Sequence, residues 1–236
     1  MKNIHHYKNK DYVNNVFDNV YENYDLMNDI MSFGAHRLWK QEFVKSIDLN
    51  ASDVVIDMAS GTGDIANLLL KKNKAQKIYR VEPNLNMLKY DLSKFENFKN
   101  VYNICGFAEN IPLMDNAVNA YTISFGLRNI SSLERALNES FRILNKGGSF
   151  YCLEFYKVDK PVISNLYKLY SKTIPLFGKI FNQNSSPYKY LVKSIEDFYP
   201  QNEISKKLIK AGFKNVNFKN IFGGIASIHY AWKLND

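Results

Sequence analysis

The chain has 236 residues, 46% of them hydrophobic and 14% aromatic, enough for one α/β domain with a substantial core and too few for two comfortable ones. Its 6 Pro and 11 Gly are too sparse for a collagenous or largely disordered chain. The formal charge of +8 comes from Lys scattered through segments such as 71–74, with no dense basic cluster and no interleaved stacking aromatics, so nucleic-acid binding is not expected.

Residues 1–11 read as a polar, flexible tail, and residues 12–236 as one domain that opens with N-terminal helices over 12–48. Neither a signal peptide nor a run of roughly 18 apolar residues is present, so a cytoplasmic protein is expected. Val13, Phe17, Val20 and Tyr24 recur at helical spacing and predict a first helix ending near Asp25; a second covers Arg37 to Ile47. Val54-Val55-Ile56 is a β-branched run, and Gly61-Thr62-Gly63 leads from it into a helix with Ile65, Leu68 and Leu69 on one side. The alternation continues with a strand near Ile78 to Val81, a helix around Met87 to Leu92, and strands at Val101 to Cys105 and Ala120 to Phe125. A helix from a Ser131 or Ser132 cap follows, stopped by a left-handed turn at Lys146-Gly147-Gly148, and then a strand over Ser149 to Phe155. Strands alternating with helices of this length imply a doubly wound, mostly parallel sheet. Residues 160–200 read as a helical lid with a break at Pro175, a helix runs from about Glu203 to Gly212, and Val216–Phe218 with Ile225–Trp232 form an antiparallel pair. Cys105 and Cys152, each inside an apolar stretch, are expected to be buried, reduced thiols. No spacing suits a metal, since His5-His6 falls in the tail.

In an open α/β sheet, ligands bind past the carboxyl ends of the strands, where glycines in the first turn admit a close backbone approach. Asp57-Met58-Ala59-Ser60-Gly61-Thr62-Gly63-Asp64 occupies that position. The glycines alone leave the cofactor open, because Gly61, Gly63 and Ala66 satisfy a loose dinucleotide fingerprint and Glu82 falls where a ribose-binding acid belongs. Asp57 favours S-adenosylmethionine: an acid there can receive the cofactor's ammonium, whereas a pyrophosphate would be repelled.

The segments Ala108-Glu109-Asn110-Ile111-Pro112-Leu113 and Asp115-Asn116-Ala117-Val118-Asn119 resemble the motif after the third strand of class I methyltransferases. Thr122-Ile123-Ser124-Phe125-Gly126-Leu127-Arg128-Asn129 resembles the hallmark of the ubiquinone/menaquinone biosynthesis C-methyltransferases. Tyr24 to Asp29, His36-Arg37-Leu38-Trp39-Lys40, Leu153-Glu154-Phe155, Tyr188-Lys189-Tyr190-Leu191 and Gly223-Gly224-Ile225-Ala226 are similar to the same family in the same order. Nearly the whole chain after about residue 12 is covered.

The resemblance implies a seven-stranded Rossmann-like fold with an antiparallel C-terminal strand, and cofactor contacts at Thr62, Glu82, Phe107 with Ala108, and Ser124. The implied substrate is a prenylated quinol, either demethylmenaquinol, a 2-polyprenyl-6-methoxy-1,4-benzoquinol, or both. Another methyltransferase acting on a phenol or lipid, and a non-catalytic subunit that keeps the fold, stay open beside it. Phe107 stands where the family commonly carries Asn or Asp, Ala59 and Ser60 where glycines are usual, and Asn184 and Lys193 where acids are familiar. Arg128 is the first candidate to stabilise a developing phenolate, with Tyr188 and His229 behind it, and Asp25, Arg37 and Trp39 are candidates to close the pocket. Along 162–181, Ile163, Leu166, Tyr167, Tyr170, Ile174, Phe177 and Phe181 share one helical side and Lys168, Lys172 and Lys179 the other. That segment is either a lid packed on the core or a peripheral contact with the inner face of a membrane.

Overall fold

The computed structural model describes residues 10–18, 28–29, 32, 34–72, 75–90, 92–157 and 186–234. The expectations for Asp25, for the amphipathic run 162–181 and for Asn184 lie outside these residues. In chain order the described elements are helices α1 (Lys10–Asp18) and α2 (His36–Ser46), strand β1 (Val54–Met58), α3 (Asp64–Lys71), β2 (Lys77–Glu82), α4 (Leu85–Lys89), β3 (Val101–Cys105), β4 (Val118–Ser124), α5 (Leu133–Ile143), β5 (Leu144–Phe155), α6 (Ser186–Glu196), α7 (Gln201–Lys210), β6 (Lys214–Ile221) and β7 (Ala226–Trp232).

One seven-stranded sheet has the order β3-β2-β1-β4-β5-β7-β6. The β1 to β5 pairs are parallel, and β7 runs antiparallel to both β5 and β6. The sheet is the one expected. Because it is covered on both sides, its central strands are apolar throughout rather than alternating: β4 keeps Val118, Ala120, Tyr121, Thr122 and Ile123 all buried. Trp39, Phe43 and Val44 of α2 pack with Ile65 and Leu69 of α3 and Leu191 of α6 in one apolar cluster. Leu137 of α5 and Leu208 of α7 pack with Ile56, Ile123 and Phe150 in the second. The strand order reverses between β1 and β4, so a crevice opens at their carboxyl ends.

Several boundaries differ from expectation for physical reasons. α5 ends at Ile143, before the glycines, and β5 begins at Leu144 with a register shift between Val118 and Ala120 of β4. Gly147 does take the left-handed conformation, at φ 82°. The end of α5 is instead satisfied from the C-terminus, where Lys233 Nζ donates to the carbonyls of Phe141 at 2.8 Å and Leu144 at 2.7 Å. The turn after β2 forms the short α4, its first turn capped by the Asn84 side chain accepting from Met87 N–H, with a separate 3₁₀ turn at Leu92–Phe95. Lys10 and Asp11 are helical rather than part of a tail. Cys105 is exposed, a correction to the expected burial: it ends β3, the sheet's edge strand, most of which faces solvent, while Cys152 in central β5 is buried. Both thiols are free.

Candidate functional site

The loop after β1 is held open from three directions. Glu82, at the carboxyl end of β2, accepts Gly61 N–H at 3.0 Å on Oε2 and Asn84 N–H at 2.9 Å on Oε1. Beneath the loop, buried Arg80 donates to the Gly61 carbonyl at 3.1 Å and to Asn103 Oδ1 at 3.0 Å, with its guanidinium 4.2 Å from the Phe95 ring centre. Asp57 anchors the start of α3, its Oδ2 accepting Ala66 N–H at 3.2 Å, while Thr122 Oγ1 donates to Oδ1 at 3.3 Å. Gly63 needs to be glycine twice over: its φ is 88°, and an added Cβ would lie 2.6 Å from the Phe95 ring and 2.8 Å from the Arg80 guanidinium.

Ala59, where a glycine is usual, has φ 52°. A side chain in that left-handed region costs about 1–2 kcal/mol, and room for its methyl group comes from Gly126, whose own Cβ would fall 2.5 Å from that of Ala59. Ala59→Gly is therefore expected to stabilise the fold by about 1 kcal/mol in urea denaturation. A loss of stability would show that the methyl group's packing outweighs its strain.

Around this loop lies a cleft with two lobes. The larger, about 670 Å³ and partly open to solvent, is bounded by Glu82 and Pro83 from the end of β2, Met87 of α4, Phe107 to Glu109 after β3, Ser124 to Gly126 after β4, Asn129 to Ser131, and Val13 and Phe17 of α1. The smaller, about 330 Å³, is bounded by Asp57, Ser60, Thr62, Asp64, Ile65 and Lys40. Ala59, Gly61, Ser124 and Phe125 border both, forming a waist between them. The Ser60 and Ser124 hydroxyls are buried and have no partner among the described residues. Buried polar groups are ordinarily paired, so two orphaned hydroxyls at such a cleft mark places for a ligand's polar atoms.

The roof of the larger lobe is tied down. Asp18, at the end of α1, accepts from Asn84 Nδ2 at 2.8 Å and Asn86 Nδ2 at 3.0 Å through a single oxygen. α1 also packs on α6, where Val13, Val16 and Tyr190 form a small cluster.

Burial pushes the carboxyls of both Asp57 and Glu82 up to about 7, although Arg80 and the backbone donors pull them down. The folded protein therefore holds protons that the unfolded chain has lost between an ordinary carboxyl value near 4 and about 7. Without ligand, stability falls as pH rises through that window. A ligand that brings an ammonium to Asp57 and hydroxyls to Glu82 prefers the ionised acids, so its affinity should climb between about pH 6 and 8 with proton release. Calorimetry in two buffers of different ionisation enthalpy reads both quantities, and an affinity that is flat or falls with pH would count against these partners.

The structure thus brings together Asp57, Gly61, Thr62, Glu82, Phe107, Ala108 and Ser124, with Gly63 shaping the loop. Arg128, Tyr188 and His229 line neither lobe. Arg128 is 4% exposed; its Nη1 donates to Glu154 Oε1 and to the Phe125 carbonyl, and its Nε to Ser194 Oγ at 3.2 Å. Tyr188 is buried on α6, its hydroxyl unpartnered among the described residues. His229 lies within the sheet, with Nδ1 3.1 Å from Tyr156 OH and Nε2 3.0 Å from the Gln201 carbonyl, and burial lowers its pKa to about 4. Arg37 is exposed and paired with Asp29, and Trp39 packs against Phe155 in the core. Asn129, Met87 and Lys40 also border the cleft, beyond the residues the sequence points to. The motifs containing Asn129 and Lys40 were the only signal for those two.

Residues 5–233 match the family model described as the ubiE/COQ5 methyltransferase family. A relative from Rickettsia bellii, named ubiquinone/menaquinone biosynthesis C-methyltransferase UbiE, is 44% identical over 94% of this chain and 92% of its own. One of the same name from Rickettsia felis is 43% identical over 99% of this chain and 97% of its own. Among solved structures, an S-adenosylmethionine-dependent methyltransferase from Thermotoga maritima superposes with a TM-score of 0.69 at 19% identity, covering 94% of this chain and 99% of that one. A phosphoethanolamine N-methyltransferase from Haemonchus contortus, solved with S-adenosyl-L-methionine, gives a TM-score of 0.61 at 14% identity over 85% of this chain and 52% of that one. These two likenesses bear on the fold.

Proposed function

The chain belongs to the ubiE/COQ5 methyltransferase family, and from that premise we propose that it is the S-adenosylmethionine-dependent C-methyltransferase of ubiquinone/menaquinone biosynthesis, acting on a ring carbon of a prenylated quinol. The observation that carries this reading is the two-lobed cleft, with the acid Glu82 in one lobe, the acid Asp57 in the other and the orphaned Ser124 hydroxyl at the waist. Those groups fit the cofactor's ribose, ammonium and central region, respectively. When bound, S-adenosylmethionine supplies an activated methyl group on its sulfonium.

Each Glu82 oxygen already accepts one backbone N–H and keeps a second lone pair for a ribose hydroxyl. Phe107 and Ala108 flank the same lobe, where a ring face and a small side chain suit a flat base. Thr62 borders the smaller lobe at the start of α3. On the substrate side, a phenol near pKa ~10 must give up its proton for the ring carbon to become nucleophilic. The Arg128–Glu154 pair has nearly cancelling charges, so Arg128 contributes mainly by fixing the Phe125–Asn129 loop at the edge of the cleft. Both ring nitrogens of His229 are engaged, which suits packing better than proton transfer. Tyr188 remains the candidate whose buried hydroxyl has no partner among the described residues.

Transfer of tritium from methyl-labelled S-adenosylmethionine into quinol extracts tests the reading. Binding of the cofactor by calorimetry with no transfer would point to a non-catalytic role. Complementation of strains blocked separately in the menaquinone and ubiquinone pathways identifies the ring.

A prenylated quinol resides in a bilayer, and no helix among the described residues is long and apolar enough to cross one. We propose peripheral contact through the amphipathic sequence 162–181, whose lysines would meet anionic headgroups. Replacing Lys168, Lys172 and Lys179 with Gln should weaken co-sedimentation with anionic vesicles and slow turnover of a long-tailed substrate while sparing a short-tailed one. Unchanged co-sedimentation at low salt would leave the lid role.

A further inference from the structure

Lys40 lies on α2, an element that contributes no other residue to either lobe, yet its side chain helps to wall the smaller one. A lysine only 7% exposed is uncommon, because burying an ammonium is costly unless it is paired. Its Nζ donates to Asp64 Oδ2 at 2.6 Å, and Asp64 is its only acceptor among the described residues. An ammonium has three hydrogens to place, so this bond leaves donors uncommitted. Lys94 adds a second ion pair to the same carboxylate, 3.8 Å from Asp64 Oδ1. One acid thus faces two lysines. Trp39, Phe43 and Val44 pack one face of α2 into the core, so Lys40 is carried on a fixed backbone.

The lobe is therefore polar in a directed way. Asp57 lies on its wall as an acid that, among the described residues, accepts from Ala66 and Thr122, Lys40 borders it as a cation, and the Ser60 hydroxyl, without a partner among the same residues, also borders the lobe. An acid and a base bordering one small cavity match a zwitterion carrying an ammonium and a carboxylate on a single carbon. We propose that Lys40 receives the α-carboxylate of the cofactor's methionine end, with Asp64 holding its ammonium in place. The inference rests on S-adenosylmethionine being the cofactor and adds to that reading a residue that secures the amino-acid end.

A purely structural Lys40, pinning the start of α3 through Asp64, would share the same contacts in the empty protein. The two roles separate on removing the carboxylate from the ligand. Calorimetry on the full chain compares S-adenosylhomocysteine with S-adenosyl-3-thiopropylamine, which lacks only that group. Lys40→Met should weaken S-adenosylhomocysteine by about 10- to 100-fold and the decarboxylated ligand by less than about threefold. Lys40→Arg should keep most of the parent's preference for the carboxylated ligand. Where Lys40→Met folds poorly because it strands Asp64, Lys40→Met with Asp64→Asn removes both charges. The ratio of the two affinities within each variant cancels any shared loss of folded protein. Equal weakening of the two ligands would overturn the Lys40 assignment while leaving the cofactor reading intact. Failure of the parent to bind either ligand would overturn both.

Discussion

Glu82→Ala is expected to weaken S-adenosylhomocysteine binding about 100-fold or more while the protein stays folded. In the proposed complex the carboxylate would offer its remaining lone pairs to two ribose hydroxyls, each charge-assisted bond contributing about 1.5–3 kcal/mol. The same substitution frees Gly61 N–H and Asn84 N–H, so the loop after β1 and the cap of α4 lose their shared anchor as well. Stability should suffer less than affinity, because the acid is buried at a strand end where its own ionisation is disfavoured, with burial raising it to about 7. Glu82→Gln separates the two contributions: it keeps one acceptor and the shape but loses the charge, and an intermediate loss is expected. Unchanged affinity in calorimetry for Glu82→Ala would remove the ribose assignment altogether.

Arg128→Leu should produce the largest stability loss of any single change at the site, about 3–5 kcal/mol. Its partner Glu154 is fully buried, accepting from the Arg128 backbone N–H at 3.1 Å, from Nη1 and from Phe155 N–H at 2.8 Å. Without the guanidinium, that carboxylate is left uncompensated beside the apolar rings of Phe125 and Phe155, whose centres are 4.5 Å apart. The loop's geometry depends on the same contact: Phe125 has φ 57°, rare for an aromatic residue, and its carbonyl is held by Arg128 Nη1 at 2.6 Å. kcat should therefore fall with the loop's order, and by more than cofactor affinity, since Asp57 and Glu82 keep their own anchors on the far side of the cleft. Arg128→Leu with Glu154→Leu should recover most of the stability but not the rate. If calorimetric unfolding found the double variant no more stable than the single one, the buried pair would not be what holds the loop.

What could be read from the residues alone follows the range of the interactions involved. β1, with its Val54-Val55-Ile56 run, and the Gly61–Gly63 turn have local signatures, and the sheet and the glycine loop follow from them. Contacts across the chain have none. The carbonyls at the end of α5 are satisfied by Lys233, 89 residues beyond Leu144, and nothing near Ile143 announces it. Ala59 looks like a departure from a glycine pattern until Gly126 is found opposite it, vacating the space its methyl group takes. Arg80 reads as an ordinary strand residue, yet it is fully buried under the glycine loop, where its charge offsets those of Asp57 and Glu82. Arg128 was legible as special from its motif, but its burial against Glu154 depends on β5 coming alongside β4.

The single oxygen of Asp18 that holds both Asn84 and Asn86 has a consequence for turnover. Val13 and Phe17 on the same helix border the larger lobe, so α1 covers part of it. The helix also leans on α6 through Tyr190, whose hydroxyl donates to Asn129 Oδ1 at 2.9 Å at the rim of that lobe. α1 therefore joins α6 to the turn after β2 across one wall of the larger lobe. Loosening α1 at Asp18 is therefore expected to speed the release of a ligand from the larger lobe.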